Sequence, residues 1–122
     1  ERNLQMNEFV RILKKRAEKK EKYFKNYLHY CKKIKEQAEK VLGKVEVIVF
    51  GSVIKNEFTP LSDIDVLIIS ENLPESYDER VRIKTEIKSK IDSFSPFQIH
   101  LSTPDEYNNW YKKFIKDQFI KI

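Results

Sequence analysis

The sequence predicts an α/β domain of the α+β kind: one long helix, then strand, strand, helix, strand, helix. Three observations carry that reading. Residues 4–42 hold neither Gly nor Pro and space their apolar residues by threes and fours, the helical period. Two β-branched runs follow, Val45–Phe50 (VEVIVF) and Ile64–Ser70 (IDVLIIS). A third, alternating run, Phe97–Leu101 (FQIHL), lies between two further helical segments.

The first helix places Phe9, Leu13, Ala17, Phe24, Tyr27, Leu28, Cys31, Ile34, Ala38 and Val41 along one stripe, interrupted by a charged turn at Lys20 and Glu21. A bend is expected near Lys20 and a C-terminal cap at Gly43. The second half has the stronger stripe and should pack on the domain. The first half should project or pair with another chain, which makes a homo-oligomer one expectation. Residues 1–42 thus form a long basic helix belonging to the same domain as residues 43–122. Tyr23, Phe24, Tyr27 and Tyr30 crowd one stretch of it and are read as a packing or subunit interface.

The short link between the first two strands suits antiparallel neighbours. A helix over Glu75–Phe94 follows from the spacing of Tyr77, Val81, Ile83, Ile87 and Ile91, and Ser95-Pro96 ends it. In the last helix Thr103 suits the cap, Pro104 the first turn, and Asp105 and Glu106 the positive helix end. Tyr107, Trp110, Tyr111, Phe114 and Ile115 make its stripe, with Trp110 and Tyr111 expected to anchor it in the core.

At 122 residues the chain is one domain's worth. Its 40% hydrophobic content is too high for a disordered chain. No apolar run approaches the ~18 residues of a membrane span. No basic-then-apolar leader opens the sequence, so a cytoplasmic location without a membrane partner is expected. The chain begins at Glu1 rather than Met, which leaves room for a preceding segment. Cys31 is the single cysteine, which excludes an internal disulfide and a cysteine-rich zinc site. Charge is unevenly divided: residues 1–42 carry 13 Lys/Arg against 6 Asp/Glu, whereas residues 43–122 carry 11 against 13. The basic character therefore belongs to the first helix, where it reads as a solvated face in preference to a nucleic-acid surface.

One segment concentrates chemistry, Phe50 to Asp65 (FGSVIKNEFTPLSDID). Asp63 and Asp65 are two apart at the start of a strand, so their carboxylates point to one face. A divalent cation relieves their repulsion, and Mg²⁺ favours such partial sites, completed by substrate phosphates and water. At the other end, Gly51 lets another backbone come close for want of a Cβ, and Ser52 offers a hydroxyl. If a short helix begins there, its free N–H groups would face the same gap. Taken alone, Gly-Ser is an ordinary turn and Asp-x-Asp an ordinary solvated pair. Their placement at the end of one strand and the start of the next is what points to a site.

Gly-Ser, ten residues, then Asp-x-Asp is similar to the signature of the DNA polymerase β-like nucleotidyltransferases. The stretch FGSVIKNEFTPLSDIDVLIIS resembles the minimal nucleotidyltransferases of archaea and bacteria, and HLSTPDEYNNWYKKFI resembles the C-terminal part of an archaeal branch. The resemblance covers roughly residues 43–116 and marks 43–122 as a minimal nucleotidyltransferase domain. It implies a small mixed β-sheet flanked by helices. It also implies a triphosphate, ATP by expectation, lying against Gly51 and Ser52, with Lys55 where the family carries a basic residue. Mg²⁺ or Mn²⁺ would be held by Asp63 and Asp65, and a nucleoside monophosphate, AMP by expectation, would move to a hydroxyl acceptor. Small one-domain members resemble the antitoxin half of toxin–antitoxin pairs, whose partner is a helical higher eukaryotes and prokaryotes nucleotide-binding (HEPN) protein.

The family's full set has a third carboxylate on the third strand. Gln98 and His100 share the face opposite Phe97, Ile99 and Leu101, and Gln98 is the expected occupant of the third ligand position. Its carbonyl oxygen can ligate but brings no charge and cannot act as a base. His100 could accept a proton, although a lone strand histidine commonly has a structural role. The alternative to an active transferase is therefore a slow or inactive nucleotide- or partner-binding module of the same fold.

Overall fold

The computed structural model describes residues 2–59 and 61–122, with side chains from Asn7 onward; Glu1 and Pro60 lie outside the description. Two helices open the chain, α1 (Arg2–Lys25) and α2 (Tyr27–Leu42). The bend expected at Lys20 falls instead at Asn26, which leaves helical geometry at φ −115, ψ 26. Its side-chain amide donates to the Lys22 carbonyl at 3.0 Å, the same oxygen its backbone N–H uses at 3.1 Å. Asn competes with the helix ladder in this way, whereas a charged Lys-Glu turn does not. Packing begins just before the bend. Residues 7–22 are almost wholly exposed, Tyr23 and Phe24 are buried, and Cys31, Ile34, Ala38 and Leu42 form the inner face of α2. That face ends on Leu42; Leu28 and Val41, expected on the stripe, point outward. Gly43 caps α2 at φ 76, its N–H donating to the Glu39 carbonyl at 2.9 Å.

A mixed four-stranded sheet follows: β1 (Glu46–Phe50), β2 (Ile64–Ile69), β3 (Phe97–Ser102) and β4 (Phe119–Lys121), in the order β3-β2-β1-β4. As expected from the short link, β1 and β2 are antiparallel, with Phe50 opposite Asp65. β2 and β3 are parallel, with Asp65 beside Gln98 and Leu67 beside His100. Their connection carries α4 (Tyr77–Ile91), capped by the Ser76 hydroxyl, which accepts from the Glu79 N–H. β4 is unexpected from the sequence. It pairs antiparallel with β1, Phe50 opposite Phe119, and the Ile122 N–H extends the ladder to the Val47 carbonyl at 2.9 Å.

The sheet has two unequal faces. Val47, Val49, Ile64, Val66, Ile68, Phe97 and Ile99 join α2 and Ile87 of α4 in the larger core. Cys31 lies in it, its thiol pushed up to about 12 by burial. On the other face Ile48, Phe50, Leu67 and Ile69 meet Ile115 in a smaller cluster. The cover there is the C-terminal helical segment: α5 (Pro104–Glu106), a π-helical turn (Tyr107–Tyr111) and α6 (Lys112–Ile115). Thr103 opens it with a capping box, its hydroxyl accepting from the Glu106 N–H while Glu106 accepts from the Thr103 N–H. The expectation that Trp110 anchors this segment does not hold. Trp110 is 66% exposed, and the segment is held by Ile115 with half-buried Tyr107 and Tyr111.

Candidate active site

The site forms where β1 ends against the start of β2. β1 delivers Phe50 opposite Asp65, and the chain then turns sharply through Gly51 at φ 86, ψ −154. Only glycine adopts that conformation readily. Space imposes a second demand: a Cβ on Gly51 would lie 2.5 Å from Asp65 Oδ2. The glycine backbone and the carboxylate are thus in direct apposition: the sequence suggested the approach of another backbone, and what comes close is the Asp65 side chain.

Immediately after Gly51 comes the expected short helix, the single turn α3 (Ser52–Lys55), ended by Asn56 in the left-handed region at φ 56. Ser52 is partly exposed at its first position and Lys55 is exposed in its last. The loop back to β2 is shaped by hydroxyls. The Thr59 N–H donates to Ser62 Oγ at 2.8 Å, and the Leu61 N–H donates to Thr59 Oγ1 at 3.2 Å. This turn sets Asp63, exposed, just ahead of the strand, and Ile64 is pinned by its N–H to the Pro96 carbonyl at 2.8 Å. Ser62, next to the carboxylates in sequence, therefore holds the loop.

Asp65 is partly shielded, its side chain 25% exposed, and its Oδ1 lies 3.1 Å from His100 Nε2. Gln98 is Asp65's neighbour in the β2–β3 register and is exposed. Both residues occupy the expected face, but His100, one pleat further on, is the one in hydrogen-bond contact with the carboxylate. Strand alternation places His100 on the face of Gln98, and the folded sheet is what brings it to Asp65. Aromatic rings surround the imidazole: Phe50 at 5.4 Å and Tyr111 at 6.2 Å between centroids. Burial raises the Tyr111 phenol above its ordinary value, and nearby Glu106 adds to the effect.

Among the described residues no group of three or more His, Cys, Asp or Glu side chains forms a metal cluster. The chemistry of the donor set still fits a hard divalent cation. Two carboxylates on one cation would make a partial oxygen site of the kind Mg²⁺ shares with substrate phosphates. Asp63 is exposed and Asp65 partly shielded, and neither lines the two clefts of about 520 and 380 Å³.

The nucleotidyltransferase domain family matches residues 31–122. The chain belongs to that family. Its fold is similar to two solved structures. A crystal structure of a candidate nucleotidyltransferase is 31% identical, superposes with a TM-score of 0.61, and is matched over 97% of its length by 76% of this chain. Another, from Sulfolobus solfataricus, is 20% identical with a TM-score of 0.52, over 87% of this chain and 84% of that one, and shares the fold. A comparison with curated proteins finds no match. The family match takes in Gly51, Ser52, Asp63 and Asp65 and extends through β4, so the unexpected C-terminal strand lies within the nucleotidyltransferase domain. Among the described residues no helix is long and apolar enough to cross a membrane.

Proposed function

We propose that this nucleotidyltransferase domain moves a nucleoside monophosphate, AMP from ATP, onto a hydroxyl acceptor. The observation that carries the proposal is the apposition of the Gly51 backbone and Asp65, with Asp63 two residues before and His100 hydrogen-bonded behind. Asp63 and Asp65 would hold Mg²⁺ or Mn²⁺, which when bound supplies charge neutralisation at the phosphates. The chain's own residues do the rest. Ser52 donates its hydroxyl to a phosphate oxygen, and Lys55 contributes positive charge to the same group. His100 fixes the rotamer of Asp65. The acceptor oxygen attacks the α-phosphorus in line, its O–H bond breaks, and the proton leaves to solvent water, since His100 Nε2 is committed to Asp65. The bond from the α-phosphorus to the bridging oxygen breaks, and pyrophosphate leaves with that electron pair.

A second reading has a specific motive. With neutral Gln98 beside Asp65, the site has two carboxylates where the family's full set has three, which suits a module that holds nucleotide or a HEPN-type partner without turnover. One set of measurements separates the readings. Calorimetry with ATP, with and without Mn²⁺, should show metal-dependent binding that Asp65→Asn removes. Labelled ATP in a cell lysate should then mark an acceptor with the native protein and not with the variant. Metal-dependent binding without label transfer favours the binding module. Equal ATP affinity with and without metal, or no effect of Asp65→Asn, defeats the site assignment.

A further inference from the structure

The C-terminal segment exposes two large aromatic rings beside the site. Trp110 is 66% exposed and Phe114 is 53% exposed, four residues apart and in contact at 6.3 Å with their planes at 78°. The backbone accounts for this. In a regular α-helix Tyr107, Trp110, Tyr111 and Phe114 would share one stripe and face the sheet. The π-helical turn at Tyr107–Tyr111 widens the helix. Such a turn changes the angular register of the residues around it and is frequent at functional sites. Tyr107, Tyr111 and Ile115 keep the inward face, while Trp110 and Phe114 are left on the outward one.

These rings are continuous with the proposed chemistry. Phe114 lies 6.4 Å from Phe50, Phe50 lies 5.4 Å from His100, and His100 bonds Asp65. Phe50 is also the residue before Gly51. Beyond Trp110 there is space: it lines the cleft of about 520 Å³ together with Arg80 and Lys84. An exposed edge-to-face pair offers a planar ring a flat face and a wall. Base–aromatic stacking of this kind tolerates any base, since every base has a π-face.

We infer that Trp110 and Phe114 form the surface on which the base of the nucleoside triphosphate stacks, with its phosphates directed past Phe50 toward Gly51 and Asp65. This rests on the nucleotidyltransferase reading above and adds where the base lies. The cleft beside Trp110 sets Arg80 and Lys84 against Asp105 and Glu106, so its charges balance and the recognition of the base falls to the rings. Arg80 is held by Glu106 at 2.9 and 3.0 Å, and Lys84 shares the cleft. Glu106 stays ionised in this pairing: partial burial alone would raise its pKa, but the Thr103 N–H and the Arg80 guanidinium hold it below the ordinary value.

The protein carries its own reporter, because Trp110 is its single tryptophan. Intrinsic fluorescence should be titrated with ATP and with inorganic tripolyphosphate, both in Mg²⁺. ATP is expected to quench saturably. Tripolyphosphate is expected to displace ATP while leaving the emission unchanged. By calorimetry Phe114→Ala and Trp110→Ala should each weaken ATP binding about 5- to 100-fold and leave tripolyphosphate binding as it was. ATP binding with unchanged emission, equal quenching by both ligands, or equal losses for both ligands in the variants overturns the stacking surface while the metal–phosphate reading stands. Failure of both ligands to bind the native protein overturns both.

Discussion

Replacing Gly51 by alanine tests the geometry of the site more sharply than removing a carboxylate. Two costs arise. The backbone conformation, φ 86 and ψ −154, is essentially confined to glycine and costs any other residue about 1–3 kcal/mol. The new methyl would also stand 2.5 Å from Asp65 Oδ2, closer than any real contact. That oxygen ends a rotatable side chain, so the carboxylate can swing away cheaply, but it then leaves the position His100 holds at 3.1 Å. The thermal midpoint should therefore fall by about 4–12 °C, since ~1 kcal/mol corresponds to about 4 °C for a domain of this size. Metal-dependent ATP affinity should fall further than stability explains, by about tenfold or more, because a displaced ligand acts on binding directly. Adding Asp65→Ala removes the clash and leaves the backbone strain, so Gly51→Ala should cost less stability in that background. Scanning calorimetry and ATP–Mn²⁺ titration of the four proteins measure both effects. A Gly51→Ala protein with the native midpoint and native metal-dependent affinity would refute the reasoning.

Two further outcomes are expected. Gln98→Glu places a third carboxylate beside Asp65, so it should lower the midpoint slightly in chelator, by no more than about 1 kcal/mol of like-charge repulsion at an exposed position, and tighten Mn²⁺ binding; a lower midpoint with unchanged Mn²⁺ affinity would remove Gln98 from the metal site. Asp92 is held at a pKa of about 2, below the 3.8 of a free side chain, first by the Lys19 ammonium at 2.7 Å and then by the Phe94 N–H. A depressed carboxylate stabilises above its unfolded pKa and loses that contribution as pH falls through the folded value, so roughly 1 kcal/mol should vanish between about pH 4 and 2, with the exposure of Lys19 keeping the figure modest. Thermal scans across that window should flatten in Asp92→Asn, and an unchanged profile would count against the pair.

Legibility in the sequence followed the strength of local signals. β2 and β3 were plain because their apolar runs are long and bounded by turn residues. The Thr103-Pro104-Asp105-Glu106 start was plain because a capping box is written in adjacent residues. β4 was not, since three residues give too little alternation to register; it exists because β1 offers an edge. The bend at Asn26 is hidden in the sequence beside the more conspicuous charged turn at Lys20, although Asn carries the side chain that rivals the backbone. The π-helical turn broke the stripe argument at Trp110, because a 3.6-residue period assumes a uniform helix. The meeting of Gly51 and Asp65 was legible in part, because one follows a strand and the other opens the next. The approach of His100 to Asp65 was not, since strand patterns give a face and leave reach along it to the folded sheet.

The unequal faces of the sheet bear on how this protein can change over generations. Most of its buried apolar side chains lie between the sheet and α2 and α4, whereas Asp65, His100 and the exposed rings belong to the thinly covered face. On the proposed reading, folding free energy and substrate choice would be drawn from different residues. Substitutions at Gln98, Trp110 or Phe114 can be sampled with little loss of the native state, because exposed positions rarely cost more than ~0.5 kcal/mol. If the proposed site is the working one, a lineage starting from this chain could exchange acceptors while its scaffold persists unchanged.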